Sequence, residues 1–265
     1  MSRTSKDTGA SSPVKKYVSF SGSTGKLRYF DKESTEDDKY VYFDSIDFVV
    51  LDTKASISGF NENESCGINS NLLNQFELGK NDFVVKTKVN GSFGEFARGK
   101  YKDIKDKCFA IGGRFTTNIF ALADLGDGQE IVRIELSGSS LGPWIDFESK
   151  LEKGTSIYDY KVTIKTGALC GRKNGKTYEV SKEEYNKVVS ALKKDPMAQK
   201  PVWFYVSAFE ANNIVEETVH LANDADEVLQ AYLDSAPSVD AKEVEEVEVV
   251  EPETVTAGDV DDLPF

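Results

Sequence analysis

The chain has 265 residues, 39% of them hydrophobic and 11% aromatic, enough to bury a sizeable core. Its formal net charge of −13 would by itself argue against a nucleic-acid partner, but the average misleads. From Asp234 onward eleven acidic residues face one base, Lys242, whereas between Lys80 and Lys200 there are 22 Lys or Arg against 16 Asp or Glu.

Residues 1–13 are small, polar and aperiodic and are expected to form a disordered arm, with order starting near Tyr17. Runs of β-branched and aromatic residues then predict strands at Tyr40 to Leu51, Phe83 to Val89, Cys108 to Leu125, Glu130 to Leu136, Tyr158 to Leu169 and Val202 to Phe209. Gly126-Asp127-Gly128 and Asn174-Gly175 are turn signals between such runs and point to antiparallel neighbours. A short helix is expected after Gly142-Pro143, burying Trp144, Phe147 and Leu151. Another is predicted from the capping box Ser181/Glu184 to Lys193-Lys194, and a third after Asn223 or Asp224, burying Val228, Leu229, Tyr232 and Leu233. From 235 to the end the chain is acidic and aperiodic, and is expected to be a disordered tail.

Cys66, Cys108 and Cys170 are widely spaced and odd in number, so they define neither a disulfide framework nor a zinc motif. No cofactor or metal is expected. No apolar run is long enough to cross a bilayer and the N-terminus has no signal-like stretch, so a soluble cytoplasmic protein is expected.

The tail ends in a distinctive peptide, Asp259-Val260-Asp261-Asp262-Leu263-Pro264-Phe265. Phe265 offers buried area, Pro264 limits the entropy lost on docking, and the carboxylates accept charge-assisted hydrogen bonds, so the tip suits an apolar pocket ringed by Lys or Arg. The ending Asp261-Asp262-Leu263-Pro264-Phe265 resembles the tip of bacterial single-stranded DNA-binding proteins and their phage counterparts. That resemblance covers about ten residues and the layout of ordered body, acidic linker and tip. It implies a protein of a bacterial or phage-infected cell that coats unpaired DNA and recruits replication and recombination proteins through the tip. Together with the strand pattern, it implies an OB-like antiparallel barrel, with elaborations, over residues 14–234. A homo-oligomer is compatible with it.

A surface for single strands needs cations along the phosphates and rings on which bases stack. The window from Phe93 to Lys107 interleaves Phe93, Phe96 and Tyr101 with Arg98, Lys100, Lys102, Lys105 and Lys107 around Gly91, Gly94 and Gly99. The glycines predict a mobile loop rather than a regular strand. Strand alternation places Tyr158, Tyr160, Val162 and Ile164 on one face and Lys161, Thr163 and Lys165 on the other. Arg172, Lys173 and Lys176 crown the Asn174-Gly175 hairpin, and Arg114 follows Gly112-Gly113. Trp144 and Trp203 are assigned to packing.

His220 is the only histidine and is expected to pack near a helix, which leaves imidazole chemistry unsupported. No phosphate-cradling glycine motif occurs. The enzymatic alternative is a metal-dependent nuclease built on Asp146, Glu148 and Lys150, against which a solvated helix face weighs more heavily. A recruiting scaffold that binds no DNA is the third reading.

Overall fold

The structure is a computed structural model that describes residues 11–22, 24–34, 39–173, 176–194 and 202–235. The fold is mainly β. In chain order it comprises β1 (Lys16–Ser21), β2 (Lys26–Phe30), β3 (Tyr40–Phe43), β4 (Ser45–Asn61), β5 (Cys66–Ser70), β6 (Phe83–Val89), β7 (Ser92–Gly99), α1 (Tyr101–Phe109), β8 (Gly113–Asp124) and β9 (Gln129–Ser137). There follow α2 (Leu141–Ser149), β10 (Tyr160–Lys173), β11 (Lys176–Glu179), α3 (Lys182–Lys194), β12 (Val202–Asn213) and α4 (Glu216–Ser235).

The strands form one mixed sheet whose main path runs β3-β2-β1-β9-β8-β4-β5-β6-β7, with β10 joining β4 and carrying β11 and β12. Two features depart from the expected closed antiparallel barrel. β1 pairs with β9 in parallel, and the hydrogen-bonded path is open among the described residues. Local turn signals report only on strands adjacent in sequence, so they could not reveal a pair formed by segments more than a hundred residues apart. The path nevertheless bends. β3, at its outer end, continues through the single residue Asp44 into β4 at its centre, so the strands between must curve to meet one stretch of chain twice.

The curve encloses the first of three apolar clusters, built from Val18, Leu27, Phe48, Ile119, Ile134, Leu136, Val162, Ile164 and Val206, with Trp144 fully buried among them. α2 covers this cluster: Trp144 stacks edge-on to Phe209 at 5.1 Å, and Phe147 lies over Phe209 at 5.7 Å. A second cluster joins β4 to β5, β6 and β7 beneath α1, through Ile57, Ile68, Phe83, Val85, Ile104 and Phe115. The third lies on the opposite sheet face, where Leu229 and Ala222 of α4 cover Val49, Leu51, Phe120 and Leu122. β8 is therefore buried on both faces along most of its length, which is why its second half, Ile119 to Ala123, is continuously apolar rather than alternating.

Several expected elements form close to their predicted places. α2 begins at Leu141 with Pro143 in its first turn, and Ser181 Oγ accepts from Glu184 N at the start of α3. Gly126 and Gly128 N both donate to Asp124 Oδ1 in the β8–β9 turn. α4 begins earlier than expected, at Glu216, and its buried stripe is set by the sheet below: Leu229 is buried, but Val228 is 55% exposed. His220 is exposed on the same helix instead of packed. The arm before residue 11 and the tail beyond Ser235 lie outside the described residues.

Candidate nucleic-acid interface

The window from Phe93 to Lys107 is ordered. β6 and β7 form a hairpin turned by Asn90-Gly91, both at positive φ (52° and 79°) as a primed two-residue turn requires. Glu64 caps the turn, accepting from Asn90 N at 3.0 Å and Gly91 N at 2.9 Å. Gly94 and Gly99 are strand residues of β7 and not part of a mobile loop, and the basic stretch that follows is the helix α1. The hairpin signal was present in the sequence, since Asn-Gly separates two apolar runs.

This order disperses the predicted contacts. Phe93 is exposed. Phe96 is half-buried under Lys107, whose ammonium sits 4.5 Å from the ring and donates to Phe96 O. Tyr101 packs edge-on to Phe115 at 5.0 Å in the second cluster. Arg98 pairs with Glu95 at 2.6 Å and Lys100 with Asp82 at 2.7 Å. Lys102 is exposed and Lys105 partly so, on the outside of α1. On β10 the alternation holds for Val162 and Ile164, which are fully buried, whereas Tyr158 precedes the strand in a single 3-10 turn. Lys161 and Lys165 face out but are paired with Asp47 and Glu210, each at 2.8 Å. The hydrogen bond from Lys161, with another from Thr163, holds the Asp47 carboxyl below its ordinary range. Arg172 and Lys173 on β10 and Lys176 on β11 flank the expected hairpin by backbone register, Lys173 opposite Lys176, but their side chains and that of Trp203 lie outside the described part, as does the tip from Asp259 to Phe265.

The structure instead assembles rings and guanidinium groups on the sheet face opposite the first cluster. Register settles which side chains share that face. Tyr17 lies beside Arg133, Ser19 beside Arg28, Arg28 beside Tyr42, and Phe30 beside Tyr40, across β9, β1, β2 and β3. Tyr17 is 50% exposed; Phe30, Tyr40 and Tyr42 are half-buried. Phe30 and Tyr40 meet edge-on at 5.4 Å and Tyr40 and Tyr42 lie 6.3 Å apart. The Arg28 guanidinium stands 4.3 Å over the Tyr40 ring, its Nε buried with no hydrogen-bond partner among the described residues. Arg133 lies 5.7 Å over Tyr17, held by Asn118 Oδ1, which accepts from its Nε and Nη2, and by Glu135 at 3.0 Å. α4 covers the adjoining part of the same face, over Val49, Leu51, Phe120 and Leu122.

Arg114 shares the face, four residues along β8 from Asn118. Its guanidinium lies 3.8 Å over the exposed Phe109 ring and donates to Phe109 O and Gly113 O. Partial burial lowers its pKa from the ordinary guanidinium value.

Asp146 and Glu148 sit on α2 and Lys150 just beyond it, and no group of three metal-ligating side chains occurs among the described residues. Burial pushes the Glu148 carboxyl up to about 7, against the nearby Trp144 indole, which favours the charged form. The indole Nε1 is buried without a well-formed hydrogen bond among the described residues. Cys108 is buried, and burial raises its thiol pKa. No described helix is long and apolar enough to cross a membrane. No family model matches the chain, and no curated protein or solved structure matches it significantly.

Proposed function

We propose that this chain binds single-stranded DNA on the open face of β9, β1, β2 and β3 and recruits replication or recombination proteins through its C-terminal tip. The observation that carries the first half is the array of Tyr17, Phe30, Tyr40 and Tyr42 with Arg28 and Arg133 on one sheet face. Bases stack on such rings irrespective of sequence, and guanidinium groups add cation–π and phosphate contacts. A sheet that curves round a core and leaves its outer face to the ligand favours an OB-like relation for this body, without a closed barrel. The second half is carried by the resemblance of the tip.

The test is a fluorescence titration of the full chain with labelled oligothymidine, without Mg²⁺. Tyr17→Ala and Arg28→Ala each weaken binding roughly 5- to 150-fold, the value of one stacked base, with unchanged thermal unfolding. Wild-type affinity in both variants would overturn the assignment of this face. Shortening of the oligonucleotide on adding Mg²⁺ would favour the nuclease instead.

A further inference from the structure

Among the arginines whose side chains are described, Arg98 and Arg133 have carboxylate partners, Glu95 and Glu135. Arg28 and Arg114 have none among the described residues, and each lies flat over an aromatic ring. The two belong to one sheet face. Strand register places Arg28 level with Ser19, Glu135 and Asn118, and Arg114 is four residues further along β8. Three strand spacings across and four residues along put them about 20 Å apart before curvature. Between them lie Ser19, Glu135, whose carboxylate pairs with Arg133 at 3.0 Å, and the buried Asn118 and Thr116, tied to β4 by Asn118 Nδ2 donating to Ser56 Oγ at 2.9 Å and by the Ser58 Oγ–Thr116 Oγ1 bond at 2.7 Å.

We infer that Arg114 and Phe109 form a second contact point for the same single strand, remote from the Tyr17/Arg28 array and reached only by a sufficiently long oligonucleotide. This rests on the reading proposed above. Three features favour a polynucleotide at Arg114. The ring is 46% exposed, so a base has a face to stack on. The guanidinium is fixed by two backbone carbonyls, so little further ordering is needed on binding. And among the described residues no carboxylate pairs with it or with Arg28, so a strand crossing between them meets a cation at each end.

Length dependence tests this. An oligothymidine of about four nucleotides, the lower limit for one module, fits one end alone, whereas one of about sixteen reaches both. Arg114→Ala and Phe109→Ala are expected to leave the affinity for the short oligonucleotide unchanged and to weaken the long one roughly 5-fold or more. Arg28→Ala should weaken both. Arg114→Lys, which keeps the charge but not the planar stack, should recover part of the loss. Equal losses at both lengths, or none at the longer, would overturn the second contact while leaving the first array intact. A wild-type chain that bound neither length would overturn both.

Discussion

Glu148→Gln gives the sharpest test of the packing of α2. In the folded chain burial pushes the Glu148 carboxyl up to about 7, from 4.5 when unfolded. Between those values the native state keeps a proton that the unfolded state releases, so stability is greatest below the unfolded value and declines as pH rises through the folded one. The full shift corresponds to about 3 kcal/mol. Water still reaches the half-buried side chain, and allowing for that leaves about 1–2 kcal/mol. Glutamine keeps the shape and cannot ionise. The variant should therefore match the wild type at pH 4 and exceed it at pH 8 by about 1–2 kcal/mol, or several degrees in Tm for a domain of this size. Urea and thermal unfolding of both proteins at pH 4, 6 and 8 measure this, and taking the difference between them cancels other carboxylates such as Asp47. A constant difference across pH, or a variant weaker at pH 8, would refute the burial argument.

The remaining predictions concern backbone, charge and tail. Gly112 has φ +96°, and a Cβ there would stand 2.2 Å from Phe60 O, so Gly112→Ala should cost well over about 1 kcal/mol by denaturant unfolding. Gly126→Ala has φ +111° but open space, and should cost markedly less in the same assay. Combined Arg28→Ala and Arg114→Ala should reduce the salt slope of oligothymidine binding by about 1.4, at about 0.7 per phosphate contact. Lys100→Ala, which removes a lysine already bonded to Asp82, should leave that slope unchanged. Deleting Asp259 to Phe265 should abolish capture of tip-binding partners and leave or raise affinity for single strands; a large loss of that affinity would contradict the division of labour.

Strands were legible where β-branched runs stood between turn signals: β6 has its predicted limits and β9 differs by one residue at each end. α1 was not, because Lys102, Lys105 and Lys107 read as a basic stretch while only Ile104 and Cys108 mark its buried stripe, too few apolar positions to show a helical period. The parallel β1–β9 pair was hidden for a different reason, as no local signal encodes a contact so distant in sequence. The site shows the same limit. The Phe93–Lys107 window looked favourable because its rings and cations are neighbours in sequence, yet most of those cations are held by nearby carboxylates or backbone carbonyls. The array of Tyr17, Arg28, Phe30, Tyr40, Tyr42 and Arg133 is scattered over more than a hundred residues and becomes one face only through register. Alternation within β2 and β3 separates inward Leu27 and Tyr29 from outward Arg28 and Phe30, but which strands lie side by side is a tertiary fact.

The central claim is a preference for unpaired strands, and one comparison reaches it directly. Full-length protein is titrated at several salt concentrations with a labelled oligothymidine and, in parallel, with a duplex of equal length, reading tyrosine and tryptophan fluorescence. Much tighter binding of the unpaired strand at every salt, with its affinity falling as salt rises, is the result expected. Equal affinity for both, or no binding at low ionic strength, would contradict the account.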